Sequence, residues 1–172
     1  MMNEMIGVAI DSVETKESDS NVKPHYLEAL TLIERLHRRL LDVIKDEFDR
    51  SGEPEVNSVQ ALLLFNIGDD ELTAGELKTR GFYHGSNVSY NLKKLVDAGY
   101  VAHERSKTDR RSVRVKLTPR GQEIRAKVDR LYDRQMKSIK DLAGFDGDEF
   151  QRINKALIRL ERFWTDQILY RM

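Results

Sequence analysis

The chain has 172 residues, of which 40% are hydrophobic and 34% charged, a balance typical of a globular chain about one domain long. It contains no cysteine, which excludes disulfides, thiolate zinc sites and cysteine nucleophiles. The longest apolar run, Ala61 to Phe65, is far shorter than the roughly 20 residues of a membrane-spanning helix, and Met1 to Ile10 lacks the basic residues of a secretory signal. We therefore expect a cytoplasmic protein.

The formal net charge of zero conceals an uneven distribution of charge. Between Thr73 and Arg120 the sequence has 11 Lys and Arg residues against 4 Asp and Glu, and the rest of the chain has the opposite excess. A basic segment in an otherwise acidic chain is the electrostatic pattern of a nucleic-acid-binding face.

The first third of the chain predicts a tail and two helices. Residues 1–22 are interpreted as a flexible acidic tail, because residues 11–21 are polar, acidic and rich in serine. Apolar residues spaced by three and four predict a long amphipathic helix from Tyr26 to Phe48. A second helix begins after Asn57, which forms a capping-box pattern with Gln60, and this helix is apolar on nearly all sides.

Two short helices and a β-hairpin are predicted next. Thr73 and Glu76 form a second capping-box pattern, and Ser86 begins a helix that runs to about Ala98. Residues 100–106 and 113–117 then read as two strands joined by a polar, basic loop. This order of elements predicts a winged helix-turn-helix lobe, in which the helix after the turn enters the DNA major groove.

Two further helices complete the chain. Thr118 and Pro119 are a cap and a first-turn proline for a helix that reaches about Leu142. Asp146 and Glu149 form a third capping-box pattern ahead of the last helix. The predicted fold is mainly α with a small β-hairpin wing, in which residues 57–118 form the DNA-binding lobe.

The fourth predicted helix has a core face and a polar face. Val88, Leu92, Leu95 and Val96 fall together, and the other side carries amide, hydroxyl and ammonium groups. The predicted base readers are Asn87 and Tyr90, with Asn91 at the margin. Ser86 and Ser89 are expected near phosphate, and Lys93 and Lys94 on the DNA backbone. The alternative is that these are ordinary solvated residues of a surface helix.

The hairpin strengthens the DNA interpretation because it concentrates cations for which the fold has no evident structural need. These cations are Arg105, Lys107, Arg110, Arg111, Arg114 and Lys116. We predict that they bind phosphate.

Several of these segments together resemble the MarR family of bacterial regulators. They are Asn57 to Gln60, Thr73 to Leu77, Ser86 to Val101, Asp109 to Arg111 and Leu117 to Gly121. The resemblance spans about residues 26–170. It implies an obligate homodimer, built from the helical region of residues 23–56 and 119–172, whose two wings grip adjacent minor grooves of a pseudo-palindromic double-stranded DNA site.

Within that wing, a guanidinium suits the narrow, negative minor groove, so Arg110 or Arg111 is expected to insert there. A carboxylate facing DNA repels phosphate, so Asp109 is expected to hold an arginine of the same wing in position. The alternative for Asp109 is a plain turn former.

The resemblance also implies a small, frequently aromatic effector in a cleft between the dimer helices and the DNA-binding lobe. Candidate lining residues are Leu41, Ile44, Leu62, Phe65 and Tyr132. The alternative is that the apolar members fill the dimer core and that Tyr132 is a surface residue.

No catalytic or cofactor motif is present. The four histidines are scattered, which predicts no metal site, and no phosphate-binding glycine loop or activated nucleophile is recognisable. We therefore predict a DNA-binding regulator of transcription, located at the nucleoid, that is not an enzyme and needs no cofactor. Two alternatives are a winged-helix module that docks proteins and an architectural DNA binder without an effector.

Overall fold

The computed structural model describes residues 8–52, 55–73, 76–77, 85–105 and 113–170. Within them the chain is mainly helical with one small antiparallel sheet, as predicted. The elements are α1 (Val8–Ser51), α2 (Ser58–Ile67), β1 (Leu72–Thr73), α3 (Gly85–Asp97), β2 (Val101–Arg105), β3 (Val113–Leu117), α4 (Pro119–Ala143) and α5 (Gly147–Tyr170).

The first helix is longer than the sequence analysis predicts. α1 begins at Val8, so residues 8–22 are helical where an unstructured acidic tail is expected. The stretch from Val8 to Lys23 contains no glycine or proline, so no strong helix breaker opposes its extension. Pro24 lies inside the helix, where it has no N–H to donate to the preceding turn.

The core is built around α2. Its predicted capping box is confirmed: the Gln60 backbone N–H donates to Asn57 Oδ1 at 2.9 Å, and the Asn57 N–H donates to Gln60 Oε1 at 3.2 Å. α2 packs against both α1 and α4. Because it is enclosed on two sides, Ala61, Leu63 and Leu64 are fully buried, which explains why the helix is apolar nearly all round.

The sheet has three strands in the order β1, β3, β2. The hairpin of β2 and β3 is confirmed, with Val101 opposite Leu117. β1 was not predicted, because two residues are too few to show an alternating pattern. Its Leu72 lies opposite Val115 and is buried with it. The sheet thereby closes one side of the core.

Capping contacts mark two further predicted helix starts. The Glu76 N–H donates to Thr73 Oγ1 at 3.1 Å and the Thr73 N–H donates to the Glu76 carboxylate at 2.6 Å, although only Glu76 and Leu77 of that helix are described. At the start of α5 the Glu149 N–H donates to Asp146 Oδ1 at 2.8 Å, which is one of the two hydrogen bonds of the predicted box. The box at Thr73 is therefore confirmed, and at Asp146 the N-cap contact is confirmed. In the described ranges, no helix combines the length and apolar character needed to cross a bilayer.

Candidate nucleic-acid interface

α3 has a buried face that fixes it to the core. Val88, Leu92 and Leu95 are each at most 5% exposed, and Val96 packs at the edge of the same cluster. These are the four residues predicted for the core face, and that prediction is confirmed. α3 is therefore held by apolar contacts along one side only.

The opposite face of α3 is polar and open. Asn87, Ser89, Tyr90, Lys93 and Lys94 are exposed, and Tyr90 is 59% exposed despite its large ring. The Lys94 ammonium lies 5.1 Å from the centroid of the Tyr90 ring, within the range of a cation–π contact. The described members of the predicted reading set thus share one surface. Ser86 belongs to the helix, but its side chain lies outside the described residues.

Asn91 departs from its predicted place. It is 7% exposed, and its side-chain amide donates to the Asn87 carbonyl oxygen at 3.0 Å. Three residues after Val88 and four before Leu95, it falls on the helix side that faces the core. Its expected marginal contact with a base is therefore replaced by a contact within the helix.

Lys93 is paired on the surface of α3. Its ammonium donates to the Asp97 carboxylate at 2.8 Å, one turn further along the helix. That hydrogen bond and the charge of Asp97 raise the pKa of Lys93 further above its already high ordinary value. The carboxylate also places one negative charge on the otherwise basic face.

Two cations of the hairpin have a structural partner, which corrects the expectation that the fold does not need them. Arg114 and Lys116 each lie 3.8 Å from the carboxylate of Glu71, just ahead of β1. Their alternation on β3 places them on the sheet face opposite the buried Val115. The wing residues Lys107, Asp109, Arg110 and Arg111 lie outside the described residues and remain predictions.

A close backbone contact joins the end of α3 to the start of α4. The Thr118 N–H donates to the Tyr100 carbonyl oxygen at 3.1 Å, and the Thr118 hydroxyl accepts from the Gly121 N–H at 3.2 Å. A Cβ atom at Gly121 would lie 2.1 Å from the Tyr100 carbonyl oxygen. Only glycine fits there without displacement of the backbone.

A polar cluster covers this contact, and sequence reasoning missed it. The Arg120 guanidinium donates to the Ala98 carbonyl oxygen at 3.0 Å, forms a hydrogen-bonded ion pair with Glu55, and lies 4.3 Å from the centroid of the Tyr100 ring. The Tyr100 hydroxyl also donates to the Glu55 carboxylate, at 3.2 Å. We call Glu55, Tyr100 and Arg120 the Arg120 cluster. Glu55 is 45 positions from Tyr100 and 65 positions from Arg120, so no local sequence signal links these residues.

The residues predicted to line an effector cleft fall into two groups. Ile44 and Leu62 are buried in the core between α1, α2 and α4, so they line no open cleft. Leu41, Phe65 and Tyr132 are only partly buried at the margin of that core. The Phe65 and Tyr132 rings meet edge to face with centroids 5.0 Å apart, and burial raises the pKa of the Tyr132 phenol.

Within the described ranges, no three His, Asp or Glu side chains gather in a way that could hold a metal ion. The geometry instead defines a class of protein: a short helix with one open polar face, followed by an antiparallel hairpin, is a winged-helix lobe. Residues 55–112 match the model of the MarR family.

A curated relative extends this match to nearly the whole chain. Over 162 residues the chain is 33% identical to the exopolysaccharide II synthesis transcriptional activator ExpG of Rhizobium meliloti (strain 1021), covering 92% of this chain and 80% of the relative. The chain therefore belongs to the MarR family, and the predicted resemblance is confirmed. It is a winged-helix transcriptional regulator and not an enzyme.

Solved structures agree on the fold. FabT of Streptococcus pneumoniae, solved in complex with DNA, superposes with a TM-score of 0.64 at 22% identity over 82% of this chain and 98% of its own. A mutant MarR of E. coli, solved with operator DNA, gives a TM-score of 0.63 at 20% identity over 79% and 95%. At these identities the likeness concerns the fold alone.

Proposed function

We propose that the chain is a homodimeric regulator that binds double-stranded DNA sequence-specifically through the open face of α3 and the wing. The observation that carries this proposal is the exposed face of α3, where Tyr90, Lys93 and Lys94 stand beside one another on a helix anchored by its other side. The basic excess between Thr73 and Arg120 supports it. FabT and MarR, which share the fold, have been solved with DNA.

The roles follow from side-chain chemistry. The Asn87 amide and the Tyr90 hydroxyl can form hydrogen bonds with base edges, whereas the ammonium groups of Lys93 and Lys94 suit phosphate. We assign phosphate contacts to Ser86 and Ser89 at the start of α3. In the wing we assign the minor-groove contact to Arg110 or Arg111, the support of that arginine to Asp109, and a phosphate contact to Lys107.

The proposed reading set is tested by selecting genomic fragments with the purified chain and repeating the selection with variants. Asn87→Ala and Tyr90→Ala should change which fragments are retained, because each removes a group that distinguishes bases. Lys93→Ala should weaken all fragments alike, because phosphate is present at every step. If both kinds of variant retained the wild-type fragments with wild-type affinity, α3 would not be the reading helix.

A second variant tests the charge on that face. Asp97→Asn should tighten binding to any duplex by about threefold at low salt, because it removes an anion and releases Lys93 for phosphate. The measurement is the dissociation constant for a selected duplex and for an unrelated one. Unchanged binding of both duplexes would place this end of α3 away from DNA.

The homodimer is supported by α5. This helix has a clear apolar stripe, yet none of its side chains, all within the described residues, is buried in the single chain. It touches α1 through a hydrogen bond from Trp164 Nε1 to the Tyr26 hydroxyl at 3.2 Å, and an open groove of about 440 Å³ separates Ile33 from Leu157. An amphipathic helix left so exposed favours a second copy of the chain.

Leu157→Glu should convert the dimer into monomers, because it places a charge in the groove that the second copy is proposed to cover. Gln151→Glu, at an exposed position of the same helix, is the matched control and should remain dimeric. Sedimentation velocity at micromolar concentration distinguishes the two forms. A Leu157→Glu variant that sediments like the wild type would place the dimer contact elsewhere.

We propose a small-molecule effector site at the partly buried margin of the core. Leu41, Phe65 and Tyr132 offer two aromatic rings and one phenol hydroxyl near the junction of α1, α2 and α4, which suits a small aromatic molecule. Such a ligand would shift the melting temperature of the dimer. As a regulator of chromosomal genes, the protein would act in the cytoplasm at the nucleoid.

A further inference from the structure

The Arg120 cluster connects three parts of the DNA-binding lobe. Ala98, whose carbonyl oxygen accepts from Arg120, directly follows α3. Glu55 lies two residues ahead of the Asn57 cap of α2, and Arg120 itself lies in the first turn of α4. A single guanidinium therefore ties the end of α3 to the starts of α2 and α4.

The geometry uses what distinguishes arginine from lysine. One terminal nitrogen binds the Ala98 carbonyl, the other binds the Glu55 carboxylate, and Cζ lies over the Tyr100 ring. A lysine ammonium is a point charge on a flexible stem and cannot satisfy a fork of two hydrogen bonds and a contact with the ring together. Arg120 therefore fixes the relative orientation of the groups that it contacts, in addition to supplying a charge.

The backbone of Tyr100 connects the Arg120 cluster to both α3 and α4. Tyr100 is 4% exposed, and its backbone N–H donates to the Leu95 carbonyl oxygen at 2.9 Å, inside the last turn of α3. Its own carbonyl oxygen accepts from Thr118 at the α4 cap. A displacement of Arg120 would therefore change the positions of both α3 and α4.

We propose that Arg120 is a positioning residue for DNA recognition: together with Glu55 it fixes the angle of α3 on α4 and does not itself contact DNA. The inference rests on the proposed DNA-binding function. Because the charge of Arg120 is already matched by Glu55, its contribution to phosphate attraction is small. Its contribution to the fit of α3 in a groove, repeated in each subunit, is large.

The two possible roles of Arg120 give opposite results for Glu55→Gln. If Arg120 positions α3, removing the Glu55 charge loosens the cluster and weakens recognition. If Arg120 binds phosphate, the same variant releases a cation and removes an anion, so binding to every duplex tightens. Glu55 is mostly exposed, so this variant is expected to fold normally.

The experiment measures the dissociation constants of the full chain for two labelled duplexes of equal length. One duplex is selected by the wild type from a random library, and the other is unrelated to it. Each constant is measured between about 50 and 200 mM salt. The variants are Glu55→Gln, Arg120→Gln, Arg120→Lys and the Glu55→Gln/Arg120→Gln double variant. Glu47→Gln is the matched control, because it removes an α1–α4 ion pair with Arg134 that lies away from α3.

We expect Glu55→Gln and Arg120→Gln each to lower the preference for the selected duplex by about tenfold. The double variant should be no worse than Arg120→Gln, and the salt dependence should stay unchanged. Arg120→Lys should recover only part of the loss. The Glu47→Gln control should keep wild-type preference.

Three outcomes would overturn the proposal. Tighter binding by Glu55→Gln, with a smaller salt slope for Arg120→Gln, would make Arg120 a direct phosphate contact. Wild-type preference in all variants would leave the cluster without influence on recognition. Failure of the wild type to retain any duplex would instead remove the DNA-binding function, and the positioning role with it.

Discussion

Replacement of Gly121 by alanine is expected to lower the free energy of unfolding by about 3 kcal/mol, the upper part of the usual range for overpacking a tight site. The added Cβ would lie 2.1 Å from the Tyr100 carbonyl oxygen and 3.2 Å from its carbonyl carbon. The Tyr100 carbonyl group cannot move away easily, because its oxygen also accepts a hydrogen bond from the Thr118 N–H at the α4 cap. The clash therefore has to displace α4, α3 or both.

Gly147→Ala is the matched control for this substitution. A Cβ at Gly147, the first residue of α5, would have no heavy atom within 4 Å. The control should be neutral or stabilise the fold slightly, since it only reduces the freedom of the unfolded chain. Urea unfolding of both variants, followed by circular dichroism, compares the two. Equal stabilities for the two variants would contradict the described contact between α4 and Tyr100.

The second large effect is expected in the wing. Arg110→Ala combined with Arg111→Ala should weaken DNA binding on the order of a hundredfold, because the substitutions remove four guanidinium groups from the two wings of a dimer, including the one in each wing that is proposed to enter the minor groove. In a plot of the logarithm of affinity against the logarithm of salt concentration, the slope should also decrease in magnitude, by about 0.9 for each phosphate that the variant no longer neutralises. The dimer and its unfolding midpoint should be unchanged, since the substitutions leave the described core intact.

The matched control carries the same charge change elsewhere. Arg159→Ala with Arg162→Ala removes two exposed cations from α5, outside the DNA-binding lobe. If affinity depended only on the overall charge of the dimer, the two double variants would be equally weak. Unchanged affinity in the wing variant would remove residues 110 and 111 from the interface.

Features fixed by local chemistry were predictable from the sequence. Capping boxes at Asn57 and Thr73 and the N-cap contact at Asp146 placed three helix starts, because each depends on residues only three positions apart. The two faces of α3 followed from its apolar spacing in the same way. These signals require no knowledge of the tertiary contacts.

Features that depend on tertiary contacts were missed or misplaced. β1 is two residues long and exists because β3 pairs with it. Arg120 and Glu55 meet only after α2, α3 and α4 have packed, so no sequence pattern linked the two residues, although Arg120 lies in the Leu117 to Gly121 segment. Ile44 and Leu62 were offered as cleft residues because periodicity identifies an apolar face but not what covers it.

The helical start of α1 shows a further limit of composition. The polar, acidic character of residues 11–21 predicted an unstructured tail, whereas the structure continues the helix back to Val8. Low apolar content argues against burial, but a helix extended from a packed segment needs no burial of its own and adds one hydrogen bond per residue.

We propose that two copies of this chain hold one DNA duplex through cationic and polar side chains. Sedimentation equilibrium of the purified chain with a labelled duplex, selected from a random library, measures this stoichiometry. We predict two chains per duplex at about 50 mM salt and an affinity that falls by about a thousandfold at about 200 mM salt. A monomer that leaves the duplex unbound at the lower salt concentration would contradict the account.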